Sequence, residues 1–489
     1  MLTRGKISEM QQKVSHQMNA KDDIAELKHK YTTISFEEVL ELCQKYITKI
    51  ATHTFRREND AARKREMTRA YINEFVDSQR PNVEGYFELA GLKQALIDEI
   101  THYGPITKAM EDPTIDEIRA NGPDQIFVES GGRTLIWDQH FSDREHMERI
   151  VSKLIGVSKM RLTPKIPMVN ARTIEGFRVN ATHAEISPYD LPAFVIRKFS
   201  KKKITFETMI QNHSFSVNMF KLLSIIPKAD MSWITVGPTG SGKTTLNEVL
   251  VKEINPLSRI ITIENPSEMR LLQREGGSEH GRVINDVLQY ESVPEEDDSS
   301  PATMENLLIN AMRQSPHWIG PGELRTPGEF ATALRAAQTG HFFFTTLHAE
   351  GDTEAIYRFL TAYLMASNEP AELALRNICS AVKFVIFQEK LADGTRKVTS
   401  ISEVLGSEGL KPIVNPIYKF ICDDVLEEEG THKVLQIIGR HKRVGKLSEK
   451  LQQSMLKAGI KKSRFAFLTT DPEEDEVEGY TLDEHSLNH

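Results

Sequence analysis

Cysteine is scarce in this chain of 489 residues: Cys43, Cys379 and Cys422 lie far apart and form no CxxC pair. That spacing excludes a disulfide framework, argues against a zinc site and fits a reducing compartment. Long apolar runs are missing too. The longest, such as FVIF near residue 385, are far too short to span a bilayer. The opening MLTRGKISEMQQ has no apolar stretch of the secretory type, so no signal peptide is expected. Nor is there an excess of positive charge. Lys and Arg total 61 against 69 Asp and Glu, a formal net charge of −8, which argues against a uniformly cationic nucleic-acid binder. No repeat period is visible. These absences leave a soluble, intracellular protein, and at about 150 residues per domain the length suggests roughly three domains.

What is present changes along the chain. Ser35 and Glu38 form a capping-box pattern, and Phe36, Val39, Leu40, Cys43, Ile47 and Ile50 then recur at helical spacing. A basic run follows, with Arg56, Arg57, Arg63, Lys64, Arg65 and Arg69 interrupted by acids, and it reads first as a solvated helix face. Between about residues 90 and 200 the pattern is mixed. LKQALIDEI and REHMERIVSKLI are helical, and IFVES and RTLIWD are strands, an α+β layout. Beyond the basic segment VIRKFSKKKITF, the short apolar runs SWITV, RIITIEN and HFFFTTLHA alternate with helical stretches, which implies a parallel sheet. Helical sequence returns around KLSEKLQQSMLKAG. The closing DPEEDEVEGYTLDEHSLNH is acidic, lacks Lys and Arg, and reads as disordered.

Residues 237 to 244, GPTGSGKT, fit G-x-x-x-x-G-K-[ST] at every position. Gly237, Gly240 and Gly242 let the backbone curl so that successive N–H groups face an anion. Lys243 can reach the β- and γ-phosphates, and the Thr244 hydroxyl can hold Mg²⁺. A strand precedes the loop and a helix follows it, which is the context such a loop needs. No guanine-reading N-K-x-D occurs, so ATP is favoured over GTP. Phosphoryl transfer also needs groups to orient water, carry charge and hold metal. Glu264 in ITIENPSE and Glu323 in IGPGELR sit at strand ends, where α/β sheets place their ligands. His348 follows the strand HFFFTTL and could hydrogen-bond a γ-phosphate or its attacking water, while His341 at the strand's start is ambiguous.

In this order, GPTGSGKTT, TIENPSE, GELR and TGHFFFTTLHA resemble the Walker A, Asp-box, Walker B and histidine-box motifs of the type II/IV secretion traffic ATPases. YGPITKAMEDPTIDEIRANGPDQIFVESGGR, PMVNARTIEGFRVNATHAEISP and VIRKFSKKKITFETM look like the N-terminal domain of the Tad-pilus (CpaF-type) branch. The likeness covers about residues 90 to 465. It implies an α/β fold: a RecA-like P-loop domain over 201–426, preceded by an α+β nucleotide-clasping domain over 86–200. A helical extension over 1–85 would come first, and a helical segment with the acidic tail over 427–489 last.

The resemblance further implies ATP and Mg²⁺ as cofactors and a homo-hexamer docked on an inner-membrane platform protein. Such a motor would be cytoplasmic, peripheral at the inner face of the membrane, and would power a pilus or secretion. A conjugation-type secretion ATPase and a RecA-like nucleic-acid motor are the alternatives, and nucleic acid is the less expected partner. Carried over by position, Gly237, Pro238, Thr239, Gly240, Ser241, Gly242, Lys243, Thr244 and Thr245 bind nucleotide. Thr244 holds metal, and Glu264 holds the metal's water or acts as general base; Glu323 is the Walker B glutamate and His348 senses the γ-phosphate. Arg178 and Arg197, with Arg172 a weaker candidate, would reach the nucleotide from the N-terminal domain, since a permanently charged fork suits developing phosphoryl charge. Three departures stand out. Asn265 replaces an aspartate, Gly320 and Pro321 interrupt an apolar strand, which suggests an irregular strand end, and the span from Gln273 to Met304 is long enough to suggest a non-catalytic surface loop.

Overall fold

Ser35 opens the first helix through the expected reciprocal bonds: Glu38 N donates to Ser35 Oγ (3.2 Å) and Ser35 N donates to Glu38 Oε2 (3.0 Å). The computed structural model describes residues 33–55, 61–131, 133–156, 161–198, 204–277, 281–292, 302–428, 433–472 and 478–480. The chain divides into two units, Met1–Ser200 and Lys201–His489.

The first unit begins with α1 (Phe36–Phe55), α2 (Ala61–Gln79) and α3 (Leu89–Thr101). The stripe of Val39, Cys43 and Ile47 meets Phe75 and Val76 of α2 and Leu92 and Leu96 of α3, so the helical periodicity becomes a three-helix core. Burial there pushes the Cys43 thiol up to about 12, which makes it a packing residue and not a nucleophile. In the basic run, Arg65 pairs with Glu175 at 3.1 Å, while Arg56 and Arg57 lie outside the described residues. Six antiparallel strands follow: β1 (Ile115–Ala120), β2 (Ile126–Ser130), β3 (Arg133–Ile136), β4 (Met168–Arg172), β5 (Arg178–Thr182) and β6 (Ala193–Arg197), in the order β3-β2-β1-β6-β5-β4. Helix α4 (Arg144–Ile155) packs Met147, Ile150 and Leu154 against Ile118, Val128, Val179 and Ile196. Asp143 caps it by accepting from His146 N at 2.6 Å.

The second unit is built on a nine-stranded sheet. Its strands are β7 (Trp233–Val236), β8 (Ile260–Glu264), β9 (Val287–Glu291), β10 (Trp318–Pro321), β11 (Phe342–Leu347), β12 (Phe384–Lys390), β13 (Arg396–Glu408), β14 (Lys411–Glu428) and β15 (Lys433–Arg443). The order is β15-β14-β13-β12-β7-β11-β10-β8-β9. From β12 to β9 the pairs are parallel, and from β12 to β15 antiparallel. Its longer helices are α5 (Val217–Lys228), α6 (Lys243–Val251), α7 (Met304–Ala311), α8 (Pro327–Gln338), α9 (Asp352–Met365), α10 (Ala371–Ala381) and α11 (Glu449–Lys457). They cover both faces. Trp233 and Phe384 pack with Leu222 of α5, Leu250 of α6 and Met455 of α11, while Ile234, Val236 and Val385 pack with Phe330, Phe359 and Leu375 of α8, α9 and α10. A sheet covered on both faces explains why SWITV reads as an unbroken apolar run.

Four expectations need correction. The span from Gln273 to Met304 is not simply a surface loop: it carries β9, an edge strand parallel to β8. Residues 411–428 and 433–443, the beginning of the C-terminal segment included, form the paired antiparallel strands β14 and β15 rather than helix. The acidic tail is partly ordered. Val217 N donates to Gly479 O (2.9 Å), Ser216 Oγ to Glu478 Oε2 (2.5 Å), and the Tyr480 ring stacks on His213 with centroids 4.4 Å apart. Finally, β10 is irregular on one side only. Its ladder to β8 runs unbroken from Trp318–Ile260 to Pro321–Ile263, whereas its ladder to β11 stops after Ile319–Phe343 and resumes at Glu323–Thr346. Gly322 N donates to Ile263 O (2.8 Å), so alternation turns the nitrogen of Pro321 toward β11, where the lost donor falls in the gap. Gly320 leaves room for the Phe344 ring, which a Cβ there would meet at 2.1 Å.

Candidate functional site

The loop after β7 has the backbone that its glycines predict. Gly237, Gly240 and Gly242 have φ of +145°, +75° and +95°, values open to glycine and strained for other residues. At Gly237 the demand is also steric, because a Cβ would sit 1.9 Å from the Gln388 carbonyl oxygen. Gly242 caps α6, whose first residue is Lys243. Lys243 is 7% exposed, and its Nζ donates to the carbonyls of Gly237 (2.8 Å) and Pro238 (2.9 Å), folding back across the loop. Behind the loop, buried Asn247 of α6 accepts from Trp233 Nε1 (3.0 Å) and Thr235 Oγ1 (2.5 Å), tying the helix to the strand it follows. Sequence reading missed Asn247, since a lone Asn in a helix carries no pattern.

Glu264 ends β8 and is 3% exposed. Its Oε1 accepts from Glu268 N (3.2 Å) and Met269 N (3.3 Å), and its Oε2 from Ser267 Oγ (3.1 Å). Burial outweighs these bonds and pushes the carboxyl up to about 7. The peptide Asn265–Pro266 is cis. Gly322 lies directly against this side chain: a Cβ there would be 2.9 Å from Glu264 Cγ. The edge strand β9 sets Glu291 beside Glu264 in register, and Glu291 Oε2 accepts from Ser267 N (3.3 Å). Reading this span as a loop hid that second carboxylate.

Glu323 follows β10 and is held from two sides. Arg325 donates to its Oε2 through Nε (3.0 Å) and Nη2 (2.7 Å), and His348 Nε2 lies 3.1 Å from its Oε1. Burial and the nearby Lys243 lower the His348 pKa, against the opposing effect of Glu323. The two groups face each other across 3.1 Å, and burial opposes the charge that an ion pair would need. His348 also bonds the backbone of Gly237, and Gly237 N donates to Leu347 O (3.3 Å). His341 is elsewhere, its Nδ1 at 3.1 Å from Ala336 O at the end of α8. The phosphate loop, His348, Glu323 and Glu264 thus leave the carboxyl ends of four consecutive strands, β7, β11, β10 and β8, the edge where open α/β sheets bind ligands.

For a magnesium ion the available donors are all hard oxygens, the Thr244 hydroxyl and the Glu264 carboxylate. Mg²⁺ needs few protein ligands beside phosphate and water. Three of the roughly four acceptor positions of Glu264 are already used, so one remains for a cation or its water. Among the described residues no cluster of three or more His, Cys, Asp or Glu forms a metal cage. In the first unit, Arg172, Arg178 and Arg197 occupy one cross-strand row over β4, β5 and β6, and the row continues to Glu117 of β1.

Residues 99–464 match the family described as type II/IV secretion system protein, and the chain belongs to that family. The type IV secretion system protein VirB11 of Brucella suis is 27% identical over 336 residues, covering 62% of this chain and 88% of that protein. An uncharacterized protein of Methanocaldococcus jannaschii is 26% identical over 312 residues, covering 60% of this chain. The chain spans 51% and 33% of the length of two such archaeal relatives. Among solved structures, the ATPase DotB of Legionella pneumophila is 21% identical with a TM-score of 0.45, covering 62% of this chain and 80% of that one. No helix among the described residues is long and apolar enough to cross a membrane.

Proposed function

We propose that the chain is an ATP-hydrolysing motor subunit of type II/IV secretion or pilus machinery. The observation that carries this reading is the gathering of Lys243, His348, Glu323 and Glu264 around one phosphate loop. The loop's N–H groups cradle the phosphates, and Lys243 exchanges the Gly237 and Pro238 carbonyls for phosphate oxygens. Thr244 and Glu264 would hold Mg²⁺, which would neutralise charge developing on the phosphate oxygens. Glu264 either holds the metal through its water or takes the proton of the attacking water, the latter a task suited to a carboxyl raised to about 7. His348, which lies against Glu323, turns to the γ-phosphate when it is present, so loss of phosphate resets the pair. Arg178 and Arg197 of the first unit supply further positive charge to the triphosphate. The finer reading is a Tad-type homo-hexamer that works on an inner-membrane platform at the cytoplasmic face.

The purified Lys243→Ala variant should lose ATPase turnover, and activity equal to wild type would overturn the assignment. Removing the charge of Arg178 or Arg197 should lower kcat far more than ATP binding; an effect on solubility alone would make them structural. A conjugation-type secretion ATPase is the second reading; it would use the same site, and the genes alongside would distinguish it. A nucleic-acid motor would instead show nucleic-acid-stimulated hydrolysis with a steep salt dependence.

A further inference from the structure

The assignments above concern the anion side of the phosphate loop. Its carbonyl side is closed by a hairpin that lies far away in sequence. β12 pairs with β7 from Phe384–Trp233 to Phe387–Val236, so the next residue, Gln388, arrives beside Gly237. A Cβ on Gly242 would lie 3.2 Å from both Gln388 Nε2 and Arg396 Cδ. Arg396 is the first residue of β13, in register with Lys390, and its Nε donates to Gly240 O at 2.9 Å, across 156 residues of chain. The turn that presents it is braced. Asp393 accepts from Thr395 N (2.9 Å), Thr395 Oγ1 (2.6 Å) and Ile437 N of β15 (2.9 Å).

We propose that Arg396 is a positioning residue of the phosphate loop. A trans peptide sets its C=O and N–H in opposite directions. Holding the Gly240 carbonyl on the hairpin side therefore aims the Ser241 N–H away from that side. At present that N–H makes only a long turn contact with Pro238 O, at 3.4 Å. Lys243 takes the Gly237 and Pro238 carbonyls, so the two cations divide the loop's carbonyls between them. The loop needs such ties because Gly240 and Gly242 both have positive φ, and glycine peptides otherwise reorient easily. Arg396 acts through Gly240 and forms no part of the chemistry. The residue was invisible to motif reading because the sheet order, and no sequence spacing, sets it against the loop.

The functional arm of this inference rests on the nucleotide reading above; its structural arm does not. The test uses the full chain with Arg396→Ala and Arg396→Lys. Hydrogen exchange of the peptide spanning residues 238–245, measured without nucleotide, should accelerate in Arg396→Ala and return near wild type in Arg396→Lys, whose ammonium can reach the same carbonyl. With ATP, Arg396→Ala should raise KM about tenfold, the scale of one charge-assisted hydrogen bond, while kcat stays within about threefold. Unchanged exchange in a folded Arg396→Ala protein overturns the inference. So does an equal fall in kcat with lowered thermal stability in both variants, which marks a merely structural contact. A wild type that neither binds ADP nor hydrolyses ATP sinks the proposed function instead, and the exchange experiment still decides the role of Arg396.

Discussion

Replacing Glu264 by Gln removes one titration from a side chain that is 3% exposed. Because burial raises its carboxyl to about 7, the folded chain keeps a proton that the unfolded chain releases near the ordinary Glu value. The sign follows from linkage: between those two values the native state binds more protons, so wild-type stability falls as pH rises and then levels off above about 7. At 1.36 kcal/mol for each tenfold, the full loss is about 3 kcal/mol. Much of it, about 2 kcal/mol, falls between pH 5 and pH 8. Glutamine stays neutral throughout and keeps an oxygen for the Glu268 and Met269 N–H groups. The stability gap between Glu264→Gln and wild type should therefore shift by about 2 kcal/mol in favour of the variant over that range. Urea unfolding at both pH values measures it. Fluorescence in a Trp137→Phe background reports on Trp233 and Trp318, both fully buried in the second unit. A gap that does not change with pH would refute the reasoning. The same substitution should abolish turnover, so a gain in stability with a loss of activity would mark a site strained for function.

Gly320→Ala should destabilise the chain by about 1–3 kcal/mol, since the new methyl meets the Phe344 ring at 2.1 Å; adding Phe344→Leu should recover part of the lost Tm. Asn247→Ala strands the Trp233 and Thr235 donors and should cost about 2 kcal/mol in denaturant unfolding; a neutral result would show that another acceptor serves them. Tyr480→Ala removes the stack on His213 and the hydrogen bonds with His441, with an expected loss of about 1–2 kcal/mol. An unchanged Tm would mean that the tail contributes nothing to this unit.

The phosphate loop was legible because its chemistry dictates its letters: three glycines for positive φ, a lysine for phosphate and a threonine for metal. The strands around it were legible as apolar runs, and Ser35 with Glu38 as a cap. What stayed hidden has a physical cause in each case. β9 is half-buried at a sheet edge, so its short length and the acidic run after it read as loop. The β14–β15 ladder carries charges on residues such as Asp423 and Arg440, which pair across the strands at 2.6 Å, and its register shifts twice, which blurs the alternation. Tyr480 sits in an acidic tail whose composition says disorder, yet one aromatic ring with a histidine to stack on is enough to dock it. Asn265 and Pro321 depart from the family pattern, and only for Pro321 does the ladder geometry explain how the departure is accommodated.

The sheet order also has a consequence for how the protein is made. β12 through β15 join neighbours through short connections, so these pairings form between segments that leave the ribosome together. β7 has partners only later in the chain: β11 begins at Phe342 and β12 at Phe384. Nonlocal pairs of this kind close slowly. The strand bearing the phosphate loop must therefore wait, its apolar WITV unpaired, until about 110 further residues have been synthesised. The loop's carbonyl wall at Gln388 arrives later still. During translation the nascent second unit thus exposes a hydrophobic strand without a sheet, the kind of species most open to misassembly until its later partners arrive.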